Sequence, residues 1–321
     1  MVDLFMADLV GSIVIFIFCT LFNTFSIFDP AWTIQCSVIS TFYLIRCQQQ
    51  QQQQQHATGE SAMFVNHLNV RSILVFALVN FWSIRLTSNL FINSVTSIRH
   101  EDWRYSDFRI KLRSTFVYYM FGFMSFILLP TVVVFFGCVP MYYIFEMARL
   151  DDSNVATMNT VGEMFNLNLY DLLAFVITLT GILIESVADQ QLRNEQIAAA
   201  SKQQPNRLVC MDKGLWGLSR HPNYFGEIVF WFGLYLFGLA AGATVYDRFY
   251  LLTLLLGPFG VFAIIYFGSM PLMEERQLIR RHEFYTDYIK RVPNKLIPIN
   301  FRRKINTNLV YEIAAVNECL I

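Results

Sequence analysis

The segment Gly214-Leu-Trp-Gly-Leu-Ser-Arg-His-Pro-Asn-Tyr-Phe-Gly-Glu227 is polar and leads straight into an apolar run. Pro222 suits the first turn of a helix, and Ser219 stands where it could help cap one. A helix start offers free N–H groups and the positive end of a dipole. Arg220 and His221 beside it would add to an anion site. Asn223 and Glu227 are four residues apart, on one helical face, and Gly226 lets another backbone or a flat ring come close. Such a cradle suits a molecule with phosphates at one end and a polar amide at the other. The same residues also read as an interfacial anchor, with Trp216 and Tyr224 in the headgroup belt and Arg220 on a lipid phosphate.

Three further clusters carry groups capable of chemistry. Glu185 and Asp189 share a helical face that Arg193 continues. An acid at the end of a lipid-embedded helix either faces protein and water or reaches the headgroups. Trp82-x-x-Arg85 lies inside an apolar run and is followed by Glu101-Asp-Trp-Arg-Tyr105. Arg85 must pair or snorkel. The third cluster is the tail: Met273-Glu-Glu-Arg276, His282 to Tyr288, and Leu296-Ile-Pro298. A basic tail after a span touches anionic lipid, but the aromatic and acidic residues mixed into this one suggest packing. The six cysteines include no C-x-x-C pair, and Cys19, Cys36 and Cys138 sit in apolar runs, so neither a disulfide scaffold nor a zinc site is expected. No metal ligand set is expected elsewhere.

The elements that must hold these groups follow from composition. Of 321 residues, 55% are hydrophobic and 15% charged, against about 45–50% and about 25% in soluble domains. Mean hydropathy is +0.42. This excludes a disordered chain, a nucleic-acid binder driven by bulk charge, and most soluble enzymes. A bilayer core needs about 20 apolar residues per helix. Leu9–Phe28, Ala31–Ile45, Ser72–Ile92, Thr115–Phe145, Leu169–Val187, Ile228–Tyr246 and Phe249–Met270 meet that requirement to differing degrees. The fold class is therefore an all-α integral membrane protein with about seven transmembrane helices. Thr115–Phe145, with Pro130 and Pro140, is long for one span and short for two, which predicts a tilted or kinked helix plus a re-entrant stub. Residues 1–46 form an N-terminal transmembrane hairpin and 47–71 a loop containing the eight glutamines 48–55; 72–300 are the main membrane domain and 301–321 a tail. The N-terminus, with Asp3 and Asp8, lacks the basic start of a signal peptide. Lysines and arginines number five in 93–114, five in 188–225 and nine beyond 270, against three in the opposite loops. That bias puts these segments and the C-terminus in the cytosol.

Together, Gly214 to Glu227 and Met273-Glu-Glu-Arg276…Tyr288…Ile297-Pro298 resemble the steroid 5α-reductase C-terminal domain family, in its broad branch. Trp82-x-x-Arg-Leu86, Glu101-Asp…Arg-Tyr105 and Glu185…Ala-Asp189 are similar to it in the expected order, over about residues 25–300. The resemblance implies a cytosol-facing NADPH site and hydride transfer to an activated carbon–carbon double bond of a steroid or other lipid. It implies that Asn223 and Glu227 hold the nicotinamide end, and that Asp189 and Arg193 hold nucleotide and phosphate groups. Arg207, Arg220, His221, Tyr224 and Glu185 complete the implied cofactor set, although Glu185 stands where steroid enzymes have an amide residue. Those enzymes also polarise a substrate carbonyl with an acid and a tyrosine. Trp82 occupies the tyrosine's position here, leaving Tyr105 and Tyr118 as the proton donors to consider. The implied partners are a sterol-like lipid and the bilayer, with no nucleic acid, and the implied location is the endoplasmic reticulum. Two alternatives stand beside this. Isoprenylcysteine and phospholipid methyltransferases carry a similar Arg-His-Pro-x-Tyr and tail, but a methyl donor has no pyrophosphate for the cations of 193–220. A lipid-binding protein without turnover would fit the absent acid–tyrosine pair.

Overall fold

The computed structural model describes residues 2–58, 70–92, 101–153, 167–201, 210–242 and 248–298, and among them there is no strand. The helices are α1 (Val2–Leu21), α2 (Phe28–Thr58), α3 (Val70–Ile92), α4 (Trp103–Leu112), α5 (Thr115–Gly122), α6 (Leu129–Ser153), α7 (Leu169–Ser201), α8 (Pro222–Ala240), α9 (Arg248–Ala263) and α10 (Met270–Arg291). Five stretches are long and apolar enough to cross a membrane: Val2–Leu21, Val70–Phe91, Thr115–Phe145, Leu169–Ala199 and Leu252–Arg291. The other two expected spans are helical, within α2 and α8, over the residues described.

Two expectations need correction. Thr115–Phe145 contains no re-entrant stub; α5 and α6 join through a π-helical turn, Phe123–Leu128, into one helical run. The glutamines are not in a loop but continue α2 to Thr58. Glutamine is a fair helix former, and extending an existing helix avoids the cost of nucleation. The remainder of the expected loop, 59–69, lies outside the described residues, as does the tail from 301.

A second π turn, Ile264–Ser269, joins α9 to α10. Both π turns end two residues before a proline, Pro130 in one case and Pro271 in the other. Proline removes an N–H and crowds the carbonyl four residues back, and the wider turn absorbs that defect.

The chain divides into two compact units, 1–179 with 230–262, and 180–229 with 263–321. In the first unit α2 is the central element, packed on α3 and α6. Its polar groups are bonded to neighbours, as lipid surroundings require. Thr33 Oγ1 lies 2.6 Å from Thr87 Oγ1, Ser83 Oγ donates to the Thr33 carbonyl, and Asn80 bonds both Ser37 and Ser40. Fully buried Trp82 stacks on Phe230 with centroids 4.6 Å apart and meets the edge of Trp231 at 5.6 Å. Trp231 fills the space left by Gly137, so Trp82 belongs to an aromatic core. Arg71 at the start of α3 grips Asp171 at the start of α7 through two bonds of 2.6 and 2.7 Å, and the Asn168 N–H adds a third.

Removing one partner of a buried ion pair strands the other charge. Asp171→Ala should therefore cost about 3 kcal/mol, read as a lowered thermal midpoint in detergent. A midpoint equal to that of wild type would mean that the pair does not brace α3 and α7.

Candidate functional site

In the second unit, the C-terminal half of α7 meets the start of α8. A Cβ on Gly226 would stand 2.6 Å from both the Glu185 nitrogen and the Gly181 oxygen, so the two helices touch backbone to backbone there. Glu185 and Glu227 are both buried at this crossing. One turn further along α7, Asp189 Oδ1 accepts from Asn223 Nδ2 at 3.3 Å. Arg193 follows on the same helix, half-buried. The structure thus brings Glu185, Asp189, Asn223, Gly226 and Glu227 to one crossing. Arg207 lies outside the described residues.

Pro222 opens α8 as expected. Ser219 Oγ accepts from the His221 N–H at 3.1 Å, just ahead of the helix. Gly214 is in the left-handed region at φ +58, and a Cβ there would run into the Gln191 amide. Gln191 Oε1 in turn accepts from the Leu215 N–H at 3.0 Å. Sequence reasoning missed Gln191, although Asp189-Gln-Gln191 lies beside the acid pair already singled out.

Arg220 and His221 do not form an open anion site. Arg220 Nε donates to Glu274 Oε1 at 2.8 Å, and its Nη1 donates to the Val292 and Pro293 carbonyls. A buried guanidinium must satisfy its donors inside the protein, and this one does so on a carboxylate and two carbonyls. His221 Nε2 lies 3.2 Å from the same Glu274 oxygen, and its ring stacks on Tyr224. Burial holds the imidazole below its ordinary value near 6.5, outweighing the pull of Glu274. The same bonds keep Arg220 from a lipid phosphate, and Trp216 Nε1 donates to the Ala188 carbonyl at 2.9 Å.

The first unit holds two acid–tyrosine pairs that the sequence did not reveal. Tyr105 OH donates to Asp29 Oδ1 at 2.6 Å, while Arg104 bonds Asp29 Oδ2 at 2.9 Å and Asp102 at 2.8 Å. Asp102 caps α4, and its own N–H is held by Ser26 Oγ. Burial raises Asp29 above the usual carboxylate range against the opposing pull of Arg104 and Tyr105. Burial, and then the Asp29 charge, push Tyr105 well above its ordinary value, so its hydroxyl stays a donor. In the second pair, Tyr118 OH donates to Glu101 Oε1 at 2.9 Å. Arg109 binds Glu101 at 2.7 Å and lies over the Tyr118 ring at 4.3 Å. Phe25 stands between the pairs, 5.9 Å from the Tyr105 ring and 5.4 Å from the Tyr118 ring. Among the described residues no group of three or more His, Cys, Asp or Glu could hold a metal ion.

A family model described as "Protein of unknown function (DUF1295)" matches residues 15–292. The chain belongs to that family. No curated protein matches it.

Two outcomes follow from this geometry. Gly226→Ala should force α7 and α8 apart and cost about 1–3 kcal/mol, whereas Gly11→Ala, inside α1 with nothing within 4 Å of its Cβ, should leave the thermal midpoint the same or slightly higher. The His221 ring resists protonation when folded, so the unfolded chain takes up the proton first as pH falls through 6.5. Stability contributed by His221 is therefore present above that pH and declines below it. Thermal midpoints of wild type and His221→Gln should diverge at about pH 7.5 and converge towards about pH 5.5. Parallel curves would remove His221 from the account.

Proposed function

Taking membership of that family as the starting point, we propose that the protein is an NADPH-dependent membrane reductase. It reduces a carbon–carbon double bond of a sterol-like or other lipid. In this reading it crosses the endoplasmic reticulum membrane seven times, with its basic segments and C-terminus in the cytosol. The reading rests on the motifs around Glu185, Asn223 and Glu227, their resemblance to the steroid 5α-reductases, and the site chemistry.

The chemistry of the donor set fits the cofactor. Asn223 offers an amide to the nicotinamide carboxamide, Asp189 an acceptor for ribose hydroxyls, and Arg193 a cation for phosphate. Glu227 and Glu185 are the buried acids beside them. Arg220 is left out, being held by Glu274. When bound, NADPH supplies a hydride. Reduction of a double bond conjugated to a carbonyl also needs a hydrogen-bond donor on that oxygen.

The observation that carries the reading is the crossing within the second unit, where Asn223 Nδ2 donates to Asp189 Oδ1 beside the buried Glu185 and Glu227. Within the first unit, the buried Tyr105 hydroxyl that donates to Asp29 is a donor of the kind such a reduction needs. Tyr118 on Glu101 is the second donor of this kind. Methyl transfer has no need of such a pair, and the pair weakens the argument for a protein without turnover. One observation favours methyl transfer with S-adenosylmethionine: Arg220, one of the cations expected on a pyrophosphate, is turned inward.

The test is a titration of detergent-purified protein with NADPH, followed by cofactor fluorescence, beside calorimetry with S-adenosylmethionine. NADPH should bind in the micromolar range, and Asn223→Ala and Glu227→Gln should weaken it without unfolding the protein. With a lipid acceptor in hand, Tyr105→Phe should lower turnover about a hundredfold at unchanged NADPH affinity. Binding of the methyl donor alone would replace the reductase by a methyltransferase. Unaltered affinity in Glu227→Gln would remove that residue from the site.

A further inference from the structure

The start of α8 owes its position to a segment far along the chain. Arg220 N–H donates to the Asn294 carbonyl at 3.0 Å, and Ser219 Oγ to the Leu296 carbonyl at 2.8 Å. Asn294 Nδ2 returns a bond to the Leu218 carbonyl at 3.3 Å, and Tyr288 OH donates to the Trp216 carbonyl at 2.8 Å. Residues 216–221 and 288–296 are stitched together along their length. Glu274 sits at the centre of the seam. Its Oε1 receives Arg220 Nε at 2.8 Å and faces His221 Nε2 at 3.2 Å, while Oε2 lies 3.6 Å from Lys295 Nζ. Through Arg220 Nη1 the same carboxylate reaches the Val292 and Pro293 carbonyls. One acid on α10 thus gathers the residue pair that precedes α8 and the chain that follows α10.

We propose that Glu274 is a positioning residue: by fixing Arg220 and His221 against 292–296 it sets the place of the first turn of α8, and with it Asn223 and Glu227. This rests on the reading of that turn as the cofactor site. Charge is central to the role. A buried guanidinium between carbonyls and a carboxylate is held by charge-assisted bonds, about twice as strong as neutral ones. An amide in place of the carboxylate keeps the shape, loses the charge, and turns N–H donors towards cations that are donors themselves.

The experiment uses the full chain in nanodiscs and follows amide hydrogen exchange together with NADPH affinity. Glu274→Gln should speed exchange of the amides in 214–224 and raise the NADPH dissociation constant, each by roughly tenfold. Exchange elsewhere in α7 and α8 should stay near wild type. Glu274→Asp, which keeps the charge, should recover part of both effects. Glu275→Gln, one residue on and exposed, should change neither. Wild-type exchange in 214–224 for Glu274→Gln would overturn the proposal, as would equal damage from Glu274→Asp and Glu274→Gln. If Glu274→Gln does not fold, the comparison of Glu274→Asp with wild type decides: faster exchange confined to 214–224 upholds the proposal, and none overturns it. If wild type binds no NADPH, the cofactor reading falls, and the exchange measurement alone still decides whether Glu274 positions the turn.

Discussion

In lipid a polar side chain has no water to fall back on, so it must find its partner in the chain. Most features of this molecule follow from that constraint. It accounts for α2, whose polar side chains would count against it as a span by hydropathy but are bonded to α3, and in the case of Gln35 to Asp8 and the Thr131 carbonyl. It accounts for Arg71, which donates to both oxygens of Asp171 through Nε and Nη2. Burial inside the protein makes the same demand of Arg220, placed by sequence where a phosphate would be welcome, which turns to Glu274 and two carbonyls. Polarity is distributed by internal pairing, at the α7–α8 crossing as elsewhere, where Asn223 Nδ2 donates to Asp189 Oδ1.

Much of this was readable in the sequence because the signals are local. Helices announce themselves through uninterrupted apolar length, and the start of α8 through Pro222. Glu185 with Asp189, and Asn223 with Glu227, lie on shared faces because helical spacing of four puts them there. What stayed hidden is pairing across distance. Asp29 and Tyr105 are 76 residues apart, and Arg220 and Glu274 are 54 apart. No period links such residues; only the folded chain does. Trp82, which stands at the tyrosine's position of the motif, is a case of the same kind: its ring is locked against Phe230 and Trp231, far along the chain. The glutamines misled in the opposite direction, since low complexity says nothing against a helix already begun upstream.

The acid–tyrosine pairs change the weight of the alternatives. The two tyrosines that the sequence offers as proton donors each carry a hydrogen bond to a carboxylate, the arrangement the proposed reduction would use. Tyr105 and Tyr118 now each have a carboxylate and an arginine in attendance. Such an arrangement is costly to bury and is a common mark of acid–base work.

The π turn at Ile264–Ser269 has a geometric consequence for everything after it. A π turn accommodates one residue more than an α-helical turn, and each residue carries about 100° of rotation. The helix beyond it is therefore re-phased: the face that α9 would have continued is not the face that α10 presents. Glu274 lies five residues past that turn, and the direction of its carboxylate is fixed by the phase shift. Length along this helix thus encodes angle. A single-residue deletion between 264 and 269, harmless to hydrophobicity, would swing Glu274 away from Arg220 by more than a quarter of a turn.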